Sequence, residues 1–155
     1  MFDTPTEVQI KWILLADHAD VITGKLYIHG GGWENLTINQ PFPVTHPCSV
    51  VVAFAVPWTA TNRPHKITIE VADEDGQPLF KVDGDIEVGR PAGLPQGKEQ
   101  LLPMAINTVL KFEKPGTYVV TASVQDGPSD RSTFRVVEGP VAVMYRQQAE
   151  QAGSE

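Results

Sequence analysis

The stretch 114–127, Lys-Pro-Gly-Thr-Tyr-Val-Val-Thr-Ala-Ser-Val-Gln-Asp-Gly, constrains this chain most, because two turn signals bracket an alternating run. Pro115-Gly116 makes a tight turn, proline by its fixed φ and glycine by its tolerance of φ > 0. Tyr118, Val120, Ala122 and Val124 then share one face of an extended strand, and Thr117, Val119, Thr121 and Ser123 take the other. Asp126-Gly127 opens a second turn, after which Phe134 and Val136 alternate inward over 132–137. The two runs read as a terminal hairpin, which commits the chain to a sheet.

The rest of the chain repeats that grammar. Residues 8–15 place Val8, Ile10, Trp12 and Leu14 on one face, which predicts a first strand that Asp17-His18-Ala19-Asp20 interrupts. Residues 21–28 form a hairpin turning at Thr23-Gly24, with Leu26 and Ile28 inward and Tyr27 and His29 outward. Gly30-Gly31-Gly32 is then expected at a bulge, a bend or a close backbone approach, since glycine in a strand loses entropy without adding packing. Residues 48–56 are apolar on both parities, which makes a central strand or one whose outer face, Val51, Ala53 and Ala55, is buried by a partner chain. Ile67, Ile69 and Val71 begin a hairpin that turns at 73–76 and continues past a bulge at Asp83-Gly84-Asp85. A long loop at 89–97 leads to a strand at 101–112, whose Pro103 points to an edge or a bulge. After Pro140 the pattern changes to a tail, 139–155, that is either a short helix or disordered.

The count is about eight or nine strands in one domain, residues 7–138, with Gly and Pro spread as punctuation, which suits an all-β two-sheet sandwich, although the pattern alone does not distinguish it from a closed barrel. A formal net charge of -7 with no basic cluster argues against a nucleic-acid partner or an anionic membrane surface. The longest apolar run is far too short for a membrane helix. One cysteine excludes an internal disulfide, and the first residues lack a basic and an apolar signal region, so a cytoplasmic location is expected.

Candidate chemistry is sparse, and each candidate has a plain structural alternative. Cys48 lies on the apolar side of its strand and reads as a small buried hydrophobe rather than a nucleophile. His18, His29, His46 and His65 share no metal-ligand spacing, so no metal and no cofactor is expected. Asp73, Asp75, Asp83 and Asp85 are the best hard-cation candidates, yet Asp-Gly also serves a hairpin turn, and no twelve-residue calcium loop surrounds them. Trp33 beside the three glycines offers a stacking platform or simple packing. The loops carrying Trp58, Asn62, Arg63, His65 and Arg90, with Asn107, are the candidate ligand or partner site, because long ordered loops in compact domains tend to be functional. Arg63 and Arg90 form an anion clamp on that reading, or pair with acidic neighbours on the bland one.

Two resemblances sharpen this. The Pro-Gly-x-Tyr lead into a penultimate strand resembles the corner of immunoglobulin-like sandwiches, where a tyrosine hydroxyl ties back to nearby backbone. That implies an antiparallel immunoglobulin-like sandwich. The ordered series 14–19 (Leu-Leu-Ala-Asp-His-Ala), Gly30-Gly31-Gly32-Trp33, Val56-Pro57-Trp58 with Asn62-Arg63, Asp73-Glu74-Asp75-Gly76, Gly89-Arg90-Pro91 with Gly93-Leu94-Pro95, and Ala105-Ile106-Asn107 resembles a bacterial family of short uncharacterised proteins over residues 8–137. The likeness implies no catalytic residue and puts the tail outside the shared plan. The expected function is a non-catalytic binding or assembly module with a protein partner or a second copy of itself, a homo-oligomer. It would associate through the outer face of Val51, Ala53 and Ala55, an exposed edge, or the tail. The alternatives are ligand binding or hydrolysis in a pocket near Trp58, Arg63 and Arg90, and a calcium-dependent module.

Overall fold

The computed structural model describes residues 7–154. Turn signals separate nine strands: β1 Gln9–Ile22, β2 Lys25–Gly31, β3 Asn35–Ile38, β4 Val44–Val56, β5 His65–Asp73, β6 Pro78–Ile86, β7 Gln100–Phe112, β8 Gly116–Val124 and β9 Ser129–Glu138. Among the described residues one helix, α1 Pro140–Gly153, follows β9. The strands form a four-stranded sheet in the order β2-β1-β4-β7 and a five-stranded sheet in the order β3-β9-β8-β5-β6. Alternating residues of the two sheets meet in one main core, where Val50, Val52, Phe54 and Phe112 of the first face Ile69, Val71, Val120 and Phe134 of the second. The fold is all-β and sandwich-like. Its pairs are antiparallel with one departure, β3 running parallel to β9 from Asn35↔Arg135 to Ile38↔Glu138.

The stretch 114–127 folds as its alternation dictates. Tyr118 is buried, and its hydroxyl donates to the Lys114 carbonyl at 2.5 Å, so the ring stays in the core while its one polar atom is satisfied. The ring packs on Phe112 and Phe134 with centroids 5.0 and 5.6 Å away, and Trp33 meets Phe134 edge-on at 5.8 Å. Trp33 is therefore a core aromatic rather than an exposed stacking platform.

Three local expectations are corrected. A bulge between Ile10 and Trp12 reverses the parity of β1, so Ile10, Ile13 and Leu15 join the main core while Trp12 and Leu14 turn to the outer face. β1 also runs unbroken through Asp17, His18, Ala19 and Asp20. No bulge occurs at Asp83-Gly84-Asp85, where the pairing with β5 stays in register and Thr68 Oγ1 donates to Asp83 Oδ1 at 2.6 Å; the irregularity lies at Val71/Ala72.

The outer face of β4 is covered by the chain itself. Pairing between β1 and β4 ends at Ala16↔Ser49, next to Pro47, which has no N–H to offer. Beyond that point the β1–β2 hairpin is held by Asn107 on β7. Its Oδ1 accepts from the Ala19 N–H at 3.2 Å and its Nδ2 donates to the Ala19 carbonyl at 2.8 Å. Asn107 lies opposite Ser49 on β4, so this side chain draws the hairpin across β4 and replaces the missing backbone partner. Ala16, Ala19 and Val51 form a second small cluster under Trp12, Leu14, Leu26 and Ala105. At the other end the Lys11–Glu99 ion pair, 3.4 Å, links β1 to the residue before β7 over the same strand. Val51 and Ala53 are fully buried and Ala55 is 2% exposed, so the face expected to await a partner chain is already occupied.

The glycine run has a physical reason. Gly30 and Gly32 have φ of 58° and 81°, and a Cβ on Gly30 would strike the Asp17 carboxylate while one on Gly31 would strike Ile28.

Candidate functional site

Trp58 opens a short 3-10 turn, Trp58–Ala60, after Pro57 stops β4. Thr61 Oγ1 donates to the Trp58 carbonyl at 2.8 Å, the Asn62 N–H donates to the Val88 carbonyl at 2.8 Å, and Asn62 adopts φ 62°, a left-handed value that asparagine tolerates. These bonds bring the two long loops together. Arg90 then crosses between them, donating from Nε to Thr61 Oγ1 at 2.7 Å and from a terminal nitrogen to the Trp58 carbonyl at 2.9 Å, with its guanidinium 4.1 Å from the Trp58 ring centroid. His65 Nε2 donates to the Ala60 carbonyl at 2.7 Å.

The loops meet as one structural unit, yet the arginine fork is turned inward. Arg90 is committed to loop carbonyl, hydroxyl and ring rather than to an external anion or to an acidic side chain. Arg63 is exposed, and no described residue pairs with it. Asn107 does not belong to this group. It lies opposite Ser49, seven residues before Val56 along β4, which at about 3.3 Å per residue separates it from the Trp58 turn by roughly 23 Å. The expected pocket thus divides into a loop lock of Trp58, Asn62, His65 and Arg90, an exposed Arg63 outside that lock, and the distant hairpin latch of Asn107.

Three of the four acidic candidates, Asp73, Asp75 and Asp83, have local partners. Asp73 Oδ1 accepts from the N–H groups of Asp75 and Gln77 at 3.0 and 2.9 Å, shaping the β5–β6 turn. Asp83 accepts from Thr68, and Asp75 sits 4.0 Å from Lys114. Among the described residues no three His, Cys, Asp or Glu side chains converge as they stand on a point that would hold a metal ion. Cys48 is 2% exposed, and burial, with the Asp17 charge second, pushes its thiol up to about 11, which keeps it protonated and inert at neutral pH.

One apolar concavity was not anticipated from the sequence. A groove of about 490 Å³ lies between α1 and the body, lined by Pro41, Phe42, Pro115, Ala142, Tyr145 and Ala149 together with Glu113, Lys114, Glu138 and Arg146. Among the described helix residues only Ala142 is buried, while Val141, Met144 and Tyr145 are 40, 47 and 48% exposed. The helix is moored by Arg146, which donates to Glu138 of β9 at 3.1 Å, and by Asn39 Oδ1, which accepts the Val141 N–H at 3.3 Å, while the Arg146 bond to Glu150, 3.3 Å, lies within the helix. The signal available in sequence was Val141, Met144 and Tyr145 at helical spacing. A second, polar groove of about 540 Å³ crosses β5, β6 and β8 at Lys66, Thr68, Asp83, Asp85 and Ser123.

Fold and surface together define a two-sheet β domain with a C-terminal helix laid over an apolar groove, and no described helix is long and apolar enough to cross a membrane. Residues 11–137 match a family of unknown function, DUF6941, and the chain belongs to that family. No curated protein matches the chain. α1 and the helix side of the groove lie beyond the matched span.

Proposed function

We propose that this protein is a non-catalytic binding module whose protein partner seats in the groove between α1 and the body. The groove under α1 carries the reading: it is apolar at Phe42, Pro115, Ala142 and Tyr145, flanked by four charged side chains, and lies beside three exposed apolar residues of the same helix. Apolar lining with a few polar groups is the usual make-up of a recognition pocket. A homo-oligomer is the self-directed form of the proposal, through this groove or an exposed edge rather than through Val51, Ala53 and Ala55. A bacterial cytoplasmic setting belongs to it too, supported by the single free thiol of Cys48. We also read the sandwich as immunoglobulin-like, supported by the Tyr118 tie to Lys114 at the corner.

The test places a photo-crosslinker at Tyr145 in the full chain and compares it with the same chain carrying Ala149→Arg, which fills and charges the groove. One defined partner segment, cross-linked at Tyr145 and lost with Ala149→Arg, supports the proposal. Cross-linking indifferent to Ala149→Arg refutes it. Sedimentation as a strict monomer at about tens of micromolar removes the self-association form.

A further inference from the structure

The β1–β2 hairpin brings together two histidines that no spacing in the sequence links. A turn centred on Thr23-Gly24 pairs residues symmetrically about it, so His18 lies directly opposite His29, and Asp20 opposite Tyr27. Cross-strand partners share a face, as do residues two apart in one strand, so His18, Asp20 and His29 project to the same side of the ribbon. His18 Nε2 donates to Asp20 Oδ2 at 2.9 Å, and the two imidazole centroids stand 6.3 Å apart with planes inclined at 41°. All three side chains are open to solvent.

We propose that His18, Asp20 and His29 form a surface site for a borderline divalent transition ion of the zinc class. Two imidazoles and one carboxylate are the donor set that such an ion accepts, with water completing its shell. The His18–Asp20 separation already matches two neighbouring ligands of one tetrahedral ion to within about 0.5 Å at ordinary zinc bond lengths. Those bond lengths set imidazole centroids on a shared ion roughly 5 Å apart, so the exposed His29 ring closes the site by a rotation that moves it about 1 Å. As they stand, no three such groups among the described residues could hold an ion, so the site depends on that rotation. Calcium and magnesium require several hard oxygen donors, and this face offers one carboxylate. A bound ion would clip β1 to β2 in the part of the hairpin that β4 does not pair.

The experiment titrates the full chain with zinc chloride alone at neutral pH, following heat and the imidazole nitrogen resonances. One ion per chain is expected, with the His18 and His29 resonances moving and those of His46 and His65 unmoved. His29→Ala and Asp20→Asn should each weaken binding at least about tenfold, since loss of even an outer-shell partner reduces metal affinity by that much. Both variants should melt without zinc where the parent does, and zinc should raise only the parent's melting temperature. Shifts at His46 or His65, binding indifferent to His29→Ala, or no binding below millimolar zinc would each overturn the site.

Discussion

Tyr118 joins three roles in one residue: it fills the aromatic cluster, ends the β7–β8 corner, and bonds the Lys114 carbonyl. Tyr118→Phe keeps the ring and leaves that carbonyl without its partner, so chemical denaturation should show a loss of about 1 kcal/mol. Ser49 presents the opposite case. Its hydroxyl is fully buried beside Ala16 and has no hydrogen-bond partner among the described residues. Ser49→Ala removes an unsatisfied group without opening a cavity larger than one oxygen, so stability should rise by about 1 kcal/mol in the same measurement. Cys48 makes stability depend on pH. Its thiol ionises near 9.0 in the unfolded chain and near about 11 in the folded one, so the unfolded state loses its proton first. This contribution is fully present below pH about 9 and is lost as pH rises toward 11, and Cys48→Ala should flatten that limb of the stability curve.

At the scale of elements, the open edge of β7 is guarded by its proline. The Gly32 N–H donates to the Leu15 carbonyl at 2.8 Å, so Leu15 points its backbone toward β2 and Ala16 points toward β4. Carried across the continuous registers, this alternation aims Val50 and Ile106 at each other and turns Pro103 to the free edge. A proline there has no N–H, and its ring fills the space a pairing strand would need. Pro103→Val should therefore convert the chain to concentration-dependent association by sedimentation, with the monomer's melting temperature little changed. Asn107→Ala leaves both backbone groups of Ala19 without partners and should destabilise by about 1–3 kcal/mol, with faster amide exchange confined to the β1–β2 hairpin.

Elements with their own turn residues and strict alternation were legible in the sequence, the pair around Asp126-Gly127 most of all. The parity of β1 was not, because Trp12, Ile13, Leu14 and Leu15 are apolar on both faces and nothing in such a run marks the inserted residue. The double burial of β4 was legible, but its cause was not. A side chain on β7 that substitutes for a backbone partner leaves no periodic trace. The loop lock at Trp58 and Arg90 was half legible: composition singled out both loops, while the inward turn of the guanidinium follows from contacts between residues some thirty positions apart. The pairing of His18 with His29 was available once the turn at Thr23-Gly24 had been placed, by simple symmetry about that turn.

For the whole molecule, stability is unevenly shared. The main core takes residues from both sheets, whereas α1 rests on buried Ala142, a few polar contacts and an unfilled groove. Hydrogen exchange should show the amides of α1 opening well before those of β4, β5 and β8, and a filling change such as Ala149→Leu should slow them.

The parallel partnership of β3 with β9 sets an order of events during synthesis. Asn35 finds its partner Arg135 only after a hundred further residues have been made, whereas β1 with β2, β5 with β6 and β8 with β9 can each close as soon as their second strand emerges. A growing chain therefore carries β3 as an unmatched edge until β9 has left the ribosome, exposed to whatever other strands are near. Chains stopped between β8 and β9 should be captured by chaperones or aggregate, although most of their sandwich has already been made.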